Sequence, residues 1–305
     1  MEMVKFGFFG KERFQRYRCK QCGKTFSYVP ERPLDDLRVP MDKALQVLHL
    51  LVEGVGIRAC ERLTGINKKT VLAILEVAGR KCARLLDRKV RDVSVEFVQL
   101  DELWSFVNAK QINAKHPEHG DAYTFLAIDR KSKLIISHFV GKRDAFGAYS
   151  VMASLHKRIA THCQITTDGF AAYIPAVFSH FRSRVDFAQL IKQYGQPDWS
   201  LTERRYSPGK CIGARVGFRT GYPVEQEICT SHVERTNLSV RLFTRRFTRL
   251  TLGYSKKLAN LKHAVVLFVA HFNFCRKHSA HGFTPAMEAG LTDHTWTIQE
   301  LLSAS

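Results

Sequence analysis

The sequence predicts a mixed α/β protein in which a helical segment is followed by a core of alternating strands and helices. Apolar residues recur at helical spacing between residues 41 and 91. From residue 93 they form short continuous runs that turns and amphipathic helices separate. Because 45% of the 305 residues are hydrophobic, the chain can bury a substantial core, and we expect one large domain with a smaller one attached.

The composition predicts a polyanionic partner. The chain has 47 Lys and Arg against 28 Asp and Glu, a formal charge of +19, and such an excess attracts phosphate backbones. The alternative is a generic basic surface. We expect a soluble protein of the cytoplasm, associated with the nucleoid, because no secretory signal or membrane-spanning apolar run is visible. Isolated cysteines in apolar or helical stretches indicate a reduced compartment rather than a disulfide framework: Cys60, Cys82, Cys163, Cys229 and Cys275.

Residues 1–29 resemble part of a zinc ribbon. Cys19 and Cys22 stand in the run Tyr-Arg-Cys-Lys-Gln-Cys-Gly-Lys-Thr-Phe, where Gly23 permits a tight turn around two thiolates. Zinc needs four ligands, and no Cys or His precedes Cys19. A remnant knuckle, or a chain that starts inside its own ribbon, is therefore the alternative to real zinc binding. In the second case we expect an in-frame CxxC to be encoded upstream.

Residues 41–91 predict a helix-turn-helix DNA-binding domain after a proline-punctuated linker, residues 30–40. Gly65 marks the turn and Asn67 is a good N-cap for the second helix. In this arrangement the start of the second helix contacts the DNA major groove. The alternative is an all-helical domain that never touches DNA. The predicted DNA contacts here are Arg58, Asn67, Lys68, Lys69 and Thr70.

Residues 93–290 predict the large domain. Strands are expected over 93–100, 123–128 and 134–140, then a helix capped by Asp144, a strand ending at Asp168, a helix around Tyr173 and a further strand over 185–190. This order is typical of a ribonuclease-H-like sheet. The Gly-, Pro- and Arg-rich residues 195–229 interrupt it as an insert, either facing DNA or merely solvated. Helices are expected to start near Ser231 and to span 256–275.

Three carboxylates, Asp101, Asp168 and Glu234, stand where a strand or helix meets a turn. Phosphoryl transfer at a phosphodiester can use two divalent ions, and hard ions such as Mg²⁺ take carboxylate oxygens as ligands. We therefore predict that these three residues bind Mg²⁺ or Mn²⁺.

Each acid also has a structural interpretation. Ser231 and Glu234 fit a helix capping box, and Asp168 with Gly169 is an ordinary turn sequence. Glu102, next to Asp101, is expected on the opposite face of the strand as a supporting residue rather than a metal ligand.

Asn237 and Arg241 follow Glu234 at i+3 and i+7 and share its helical face. Asn237 is expected to orient a carboxylate or a phosphate oxygen, and Arg241 to hold a DNA phosphate beside the metals. The same segment is Arg-rich, and its alternative is a solvated helix face. The predicted DNA contacts in it are Arg235, Arg245 and Arg246.

The combined motifs resemble the DDE transposases of the insertion-sequence-one family. The resemblance covers nearly the whole chain and rests on Asp101-Glu-Leu-Trp-Ser-Phe-Val, Thr-Thr-Asp168-Gly-Phe-Ala-Ala-Tyr and His-Val-Glu234-Arg-Thr-Asn-Leu, with tail motifs after residue 273. It implies a ribonuclease-H-like core with an N-terminal helix-turn-helix domain and a partial zinc-ribbon knuckle. It also implies binding of terminal inverted repeats, metal-dependent DNA nicking, and joining of 3′-hydroxyl ends to target DNA.

The same resemblance assigns Asp101, Asp168 and Glu234 as the metal-binding acids and Arg241 as the basic residue beyond them. Two DNA ends require at least a homodimer. Two other functions stay open: a non-catalytic DNA-binding repressor, and a structure-specific nuclease that does not join strands. The missing first knuckle and the insert at 195–229 depart from the family's pattern.

Overall fold

A computed structural model describes residues 2–10, 13–27, 32–195, 211–249 and 251–304. The chain forms two compact units, Met1–Leu37 and Arg38–Ser305. Residues 28–29 of the predicted ribbon, residues 30–31 of the predicted linker and residues 196–210 of the predicted insert lie outside the described residues. Among the described residues, no helix has the length and apolar character needed to cross a membrane.

The first unit is a small antiparallel sheet. Its strands are β1 (Met3–Phe9), β2 (Phe14–Cys19) and β3 (Thr25–Ser27), in that order across the sheet. The β2–β3 turn closes where the Gly23 N–H donates to the Cys19 carbonyl at 3.0 Å, and Gly23 has φ of +68°. A side chain is strained at such a φ, so a glycine suits this turn.

The second unit begins with three helices, α1 (Met41–Val52), α2 (Ile57–Thr64) and α3 (Lys68–Lys89). Gly65 ends α2 in the left-handed conformation with φ of +72°. The Asn67 side chain then accepts the Lys69 N–H at 2.9 Å and so caps α3. The predicted helix, turn and helix are therefore present. These helices lie in the same unit as the six-stranded core sheet. Within that unit, α3 packs along α7 (Leu258–Phe274).

The core is a six-stranded mixed sheet in the order β6-β5-β4-β7-β8-β9. β4 pairs parallel with β7, and β7 pairs parallel with β8, whereas the other neighbours are antiparallel. This topology is compatible with the predicted ribonuclease-H-like core. The strands are β4 (Phe97–Val107), β5 (Gly120–Asp129), β6 (Ile135–Gly141), β7 (Cys163–Thr167), β8 (Val185–Tyr194) and β9 (Cys211–Thr220).

Two strands differ from the expectation. β4 begins at Phe97 and continues through Asp101 to Val107, because its second half pairs with the ten-residue β5. The predicted insert contributes β9, which pairs antiparallel with the extended β8 and becomes the edge of the sheet. Residues 211–220 therefore belong to the core sheet rather than to a separate excursion.

Helices cover both faces of the sheet. Along β4, Gln99 and Asp101 contact α6 (Ser231–Phe243), while Glu102 lies near Tyr173 at the start of α5 (Tyr173–Phe181). Because side chains alternate along a strand, α6 and α5 lie on opposite faces. α4 (Ala145–His156) packs beside α5. Two short helices follow α7 near the C-terminus, α8 (Pro285–Glu288) and α9 (Ile298–Ser303).

Candidate active site

The strand register brings Asp101 and Asp168 together. The parallel pairing of β4 with β7 ends at Leu100 opposite Thr167, so the next residue on each strand is one of these two acids. One carboxylate oxygen of Asp101, of Asp168 and of Glu102 lies within 4.8 Å of the other two. We call these three residues the acidic cluster. It sits where β7 ends, the edge at which parallel sheets usually place their ligand sites.

Glu102 is the member of the cluster that was expected to act only as a supporting residue. Its side chain is 3% exposed, and its Oε2 accepts from Arg143 Nε at 3.1 Å. Its other oxygen, Oε1, is buried and has no hydrogen-bond partner among the described residues. Glu102 does point to the opposite face of β4 from Asp101, yet its carboxylate still reaches the cluster.

Asp168 is held on both oxygens. The Phe170 N–H donates to Oδ1 at 3.0 Å, so the turn that the sequence indicates is formed. Arg143 Nη2 donates to Oδ2 at 3.2 Å. The Gln189 side-chain amide also donates to the Asp168 carbonyl at 2.8 Å. The ordinary turn role and the site role therefore occur together at this residue.

Asp101 is held from α6. Asn237 Nδ2 donates to Asp101 Oδ2 at 2.8 Å, which is one of the two roles considered for Asn237. The helix itself is docked on β4 because Gln99 Oε1 accepts the N–H groups of His232 and Val233, each at 3.1 Å. β4 thus positions α6 through Gln99, and Asn237 of α6 orients Asp101 of β4.

Glu234 lies beside the cluster rather than inside it. Its Oε1 accepts from the Thr230 hydroxyl at 2.6 Å and pairs with Lys192 from β8. Thr230, not Ser231, is the N-cap, and its own side chain caps no N–H group of α6; Gln99 of β4 accepts two of these N–H groups instead. The capping-box interpretation of Ser231 and Glu234 is therefore wrong. Glu234 is close enough to Asp101 for its charge to raise the pKa of that residue.

The carboxylates of the acidic cluster are partly buried and repel one another, which raises the pKa values of Asp101 and Glu102. Burial, together with the charges of Glu102, Asp168 and Glu234, raises the pKa of Asp101 to about 7. Burial and Asp168 also raise the pKa of Glu102, although Tyr173 and Arg143 partly offset them. Carboxylates that are desolvated together resist ionisation unless a cation joins them.

These residues fit a divalent cation. Every donor in the cluster is a carboxylate oxygen, the ligand type that Mg²⁺ and Mn²⁺ take. The buried Glu102 Oε1 has no hydrogen-bond partner in the described part of the chain. Arg143 pairs with Asp168 and Lys192 pairs with Glu234, so cationic groups already bind to these acids. A metal ion at this position would relieve the repulsion within the cluster.

Arg241 lies near the cluster without pairing to it in the described structure. Its Nη1 donates to the Phe247 carbonyl at 3.2 Å. Burial and the neighbouring Arg249 lower the pKa of Arg241 to about 10, while Asp101 opposes this change. Arg241 therefore stays protonated at neutral pH.

The predicted DNA contacts fall into two groups. Arg58 on α2 and three residues at the start of α3, Asn67, Lys68 and Lys69, are exposed, and Thr70 is half-buried. On and after α6, Arg235 and Arg245 are exposed. Arg246 differs: its Nε donates to Ser255 Oγ at 2.7 Å, and burial lowers its pKa to about 10. Its inward placement argues against the predicted direct contact with DNA.

Cys19 and Cys22, the two predicted zinc ligands, share one turn. The Cys22 and Gln21 N–H groups lower the pKa of the Cys19 thiol, as a metal-binding knuckle requires. Within the described residues, the acidic cluster is the only group of three or more His, Cys, Asp or Glu side chains close enough to share a metal. Cys19 and Cys22 therefore have no third ligand in the described structure.

Sequence reasoning missed Arg143, Phe170 and Lys192. Arg143 directly precedes Asp144, whose Oδ1 accepts the Gly147 N–H at 2.9 Å and caps α4 as expected. Neither the spacing nor the composition of the sequence relates Arg143 to Glu102 or Asp168, which lie 41 and 25 residues away along the chain. These contacts arise from the fold.

Comparison with solved structures gives a distant likeness. No protein-family model matches the chain. Among solved structures, a piggyBac transposase synaptic complex with hairpin DNA, determined by cryo-EM, is similar with a TM-score of 0.38 and 11% sequence identity. The similarity covers 87% of this chain and 70% of that one. Values this low assign neither a family nor a function.

Proposed function

We propose that this chain is a DDE transposase, a metal-dependent enzyme that nicks DNA at the ends of a mobile element and joins the freed 3′-hydroxyl ends to target DNA. The observation that carries the proposal is the acidic cluster, whose carboxylate oxygens converge within 4.8 Å at the end of β7. The net charge of +19 makes a phosphate backbone the natural substrate. The resemblance of the sequence motifs to insertion-sequence-one transposases supports the same substrate.

In this proposal Asp101 and Asp168 hold Mg²⁺ or Mn²⁺, and Glu234 extends the site from α6. A bound divalent ion would activate the attacking oxygen and stabilise the leaving one. Asn237 keeps the Asp101 carboxylate turned toward the site through its 2.8 Å hydrogen bond. Arg241, protonated at neutral pH, is placed to hold a phosphate of the DNA.

The remaining parts have roles that follow from their exposure and charge. The exposed start of α3 would read the terminal inverted repeats, and Arg235 and Arg245 would contact the backbone nearer the site. Bringing two DNA ends together needs at least a homodimer. Cys19 and Cys22 would bind Zn²⁺ only with ligands from elsewhere.

The test uses a plasmid that carries the coding sequence with its flanking DNA, and a target plasmid. With Mg²⁺, the native protein should nick the first plasmid and join it to the second. Asp168→Asn should abolish both reactions and leave DNA binding nearly unchanged. Binding without nicking by the native chain would indicate a repressor, and nicking without joining would indicate a structure-specific nuclease. Full strand transfer by Asp168→Asn would refute the metal assignment.

The structure raises a second question, which acid is the third metal ligand. Glu234 is the prediction from sequence, whereas Glu102 is the third member of the cluster. We expect Glu234→Gln to abolish nicking, because a DNA-bound state can release Glu234 from Lys192. Glu102→Gln should retain measurable nicking. The reverse result would assign Glu102 as the third ligand and Glu234 as a supporting residue.

A further inference from the structure

The geometry points to Arg143 as a positioning residue that links Glu102 to Asp168 and so holds Asp168 in the orientation needed for metal binding. This inference rests on the proposed function and deepens it. Arg143 Nε donates to Glu102 Oε2 at 3.1 Å, while Nη2 of the same guanidinium donates to Asp168 Oδ2 at 3.2 Å. One side chain therefore joins carboxylates from two strands.

The planar shape of the guanidinium is what makes this contact specific. Its donors have fixed directions, so bonding to two carboxylates at once sets the orientation of both. A lysine carries the same charge on a single nitrogen without the planar fork, and cannot hold both acids in this way. The shape of Arg143 and its charge can therefore be separated by substitution.

Arg143 is itself held in place from several sides. Its guanidinium lies over the Phe170 ring, 3.9 Å from the ring centre. The preceding Lys142 donates to the carbonyls of His119 and Asp121 at 2.7 and 2.8 Å. The following Asp144 caps α4. The residue is thus pre-positioned by its neighbours rather than pulled in by the acids alone.

The two carboxylates keep capacity for a metal while they bind Arg143. An ionised carboxylate offers about four lone-pair sites. Asp168 uses one on Arg143 and one on the Phe170 N–H. Glu102 uses Oε2 on Arg143, and its buried Oε1 has no hydrogen-bond partner among the described residues. The Tyr173 hydroxyl lies fully buried beside Glu102, and its interaction with that carboxyl partly offsets the rise in the Glu102 pKa.

A simple charge-balancing role makes a different prediction. A cation beside a metal site repels the metal, so if Arg143 only balanced charge, its removal would strengthen metal binding. If Arg143 positions the acids, its removal weakens metal binding despite the lost repulsion. The sign of the change in metal affinity therefore decides between the two roles.

The first experiment measures Mn²⁺ binding by electron paramagnetic resonance in the full-length protein without DNA. The native protein is compared with Arg143→Lys and Arg143→Gln. We expect both variants to bind Mn²⁺ about 10- to 100-fold more weakly, as is typical when a residue that orients a metal ligand is lost. Lysine should be no better than glutamine. Native-like binding by Arg143→Lys, or tighter binding by Arg143→Gln, would overturn the inference.

The second experiment measures the nicking rate of the same proteins across a range of Mg²⁺ concentrations. We expect both variants to lose about 10- to 100-fold in rate at low Mg²⁺, with unchanged DNA binding. Arg91→Gln is the matched control, because Arg91 pairs with Asp87 on the exposed end of α3 and its loss should change neither quantity. Native-like nicking by both Arg143 variants would contradict the positioning role.

Two further measurements keep the outcome interpretable. Circular dichroism melting reports whether each variant folds, and Phe170→Leu removes the stacked ring without removing a hydrogen bond. We expect Phe170→Leu to weaken Mn²⁺ binding less than Arg143→Gln does; no weakening would argue against the pre-positioning. A native protein that binds Mn²⁺ but does not nick would refute the proposed function alone, since the Mn²⁺ comparison still tests Arg143.

Discussion

Asp101 occupies an unusual place for an acidic residue, because it lies inside a long strand and beside two other carboxylates. β4 continues past it for six residues to Val107, and it stays paired with β5 beyond the point where β7 ends. The end of β7 opens the space in which Asp168 sits. Burial and the three neighbouring charges then raise the pKa of Asp101 to about 7. The residue is therefore half-protonated near neutral pH when no metal is bound.

This pKa predicts how metal-free stability depends on pH. An aspartate titrates near pH 4 in an unfolded chain, so between pH 4 and 7 the folded protein holds a proton that the unfolded chain has released. The contribution of Asp101 to stability must therefore fall as the pH rises through this window. We expect the free energy of unfolding of the native protein, relative to Asp101→Asn, to decrease between pH 4 and 7 in EDTA.

Urea unfolding at each pH measures this difference. Comparing native with Asp101→Asn removes the contributions of titrating groups that are not coupled to Asp101, such as His271, whose pKa burial lowers. Saturating Mg²⁺ should reduce the pH dependence, because the metal favours the ionised carboxylate. A native-minus-variant difference that is constant with pH would contradict the raised pKa.

Asn237 supports a second prediction about single residues. Replacing it with Leu removes the donor to Asp101 Oδ2 and leaves that oxygen without its partner on α6. We expect Asn237→Leu to lower Mg²⁺-dependent nicking about 10- to 100-fold. Ser239→Ala, two residues further along the same helix, is the control, since Ser239 only donates to the Arg235 carbonyl. Equal nicking rates for the two variants would remove Asn237 from the site.

The residue-scale predictions from sequence succeeded where local pattern carried the information. Asn67 caps α3 and Asp144 caps α4, as their positions before apolar helices indicate. Glu102 and Arg143 could not be found in that way. Alternation places Glu102 on the far face of β4, and its approach to Asp168 depends on where β7 ends and on a residue from the start of α4. Such information is tertiary.

At the scale of elements, the sequence predicted the order of strands and helices better than their lengths. β4 and β8 both extend beyond their predicted ends, to Val107 and Tyr194. In each case an antiparallel partner of similar length satisfies the extra backbone groups: β5 for β4, and a strand of the presumed insert for β8. Strand length was therefore decided by pairing, which composition does not encode.

The close packing of α3 on α7 predicts an effect of Gly79. A Cβ added there would lie 2.6 Å from His263 Cβ and 2.8 Å from His263 Cα. Alanine favours a helix by about 1 kcal/mol over glycine, but forcing the helices apart costs about 1–3 kcal/mol. We expect Gly79→Ala to be destabilising or neutral, against the helix preference.

Ala83→Gly, on the exposed side of the same helix, calibrates this measurement because it changes helix preference without altering the contact with α7. It should cost about 1 kcal/mol. Denaturant unfolding of both variants gives the comparison. A gain of about 1 kcal/mol from Gly79→Ala would mean that α3 and α7 separate easily.

For the whole molecule, the dominant property is the excess of positive charge. The net charge of +19 is spread over many elements, and four predicted contacts, Arg58, Asn67, Lys68 and Lys69, are exposed around the turn between α2 and α3. Some basic residues instead serve the fold: Arg158 donates to the carbonyls of Leu86 and Val90 at 2.6 and 2.9 Å. Total charge thus predicts the partner class but not which residues meet it.

The salt dependence of DNA binding can separate the basic residues that contact DNA from those that stabilise the fold. Each phosphate contact that is lost should reduce the slope of log affinity against log salt by about 0.9, so Lys68→Ala with Lys69→Ala should reduce it by about 1.8 if both contact DNA. The reduction in slope should be similar for a duplex from the flanking DNA and for an unrelated duplex, because phosphate contacts do not depend on the base sequence. Lys157→Ala with Arg184→Ala, both exposed beyond α4 and α5, is the charge-matched control and should leave the slope nearly unchanged. Equal slopes for the two double variants would show that binding follows total charge and that the start of α3 has no special role.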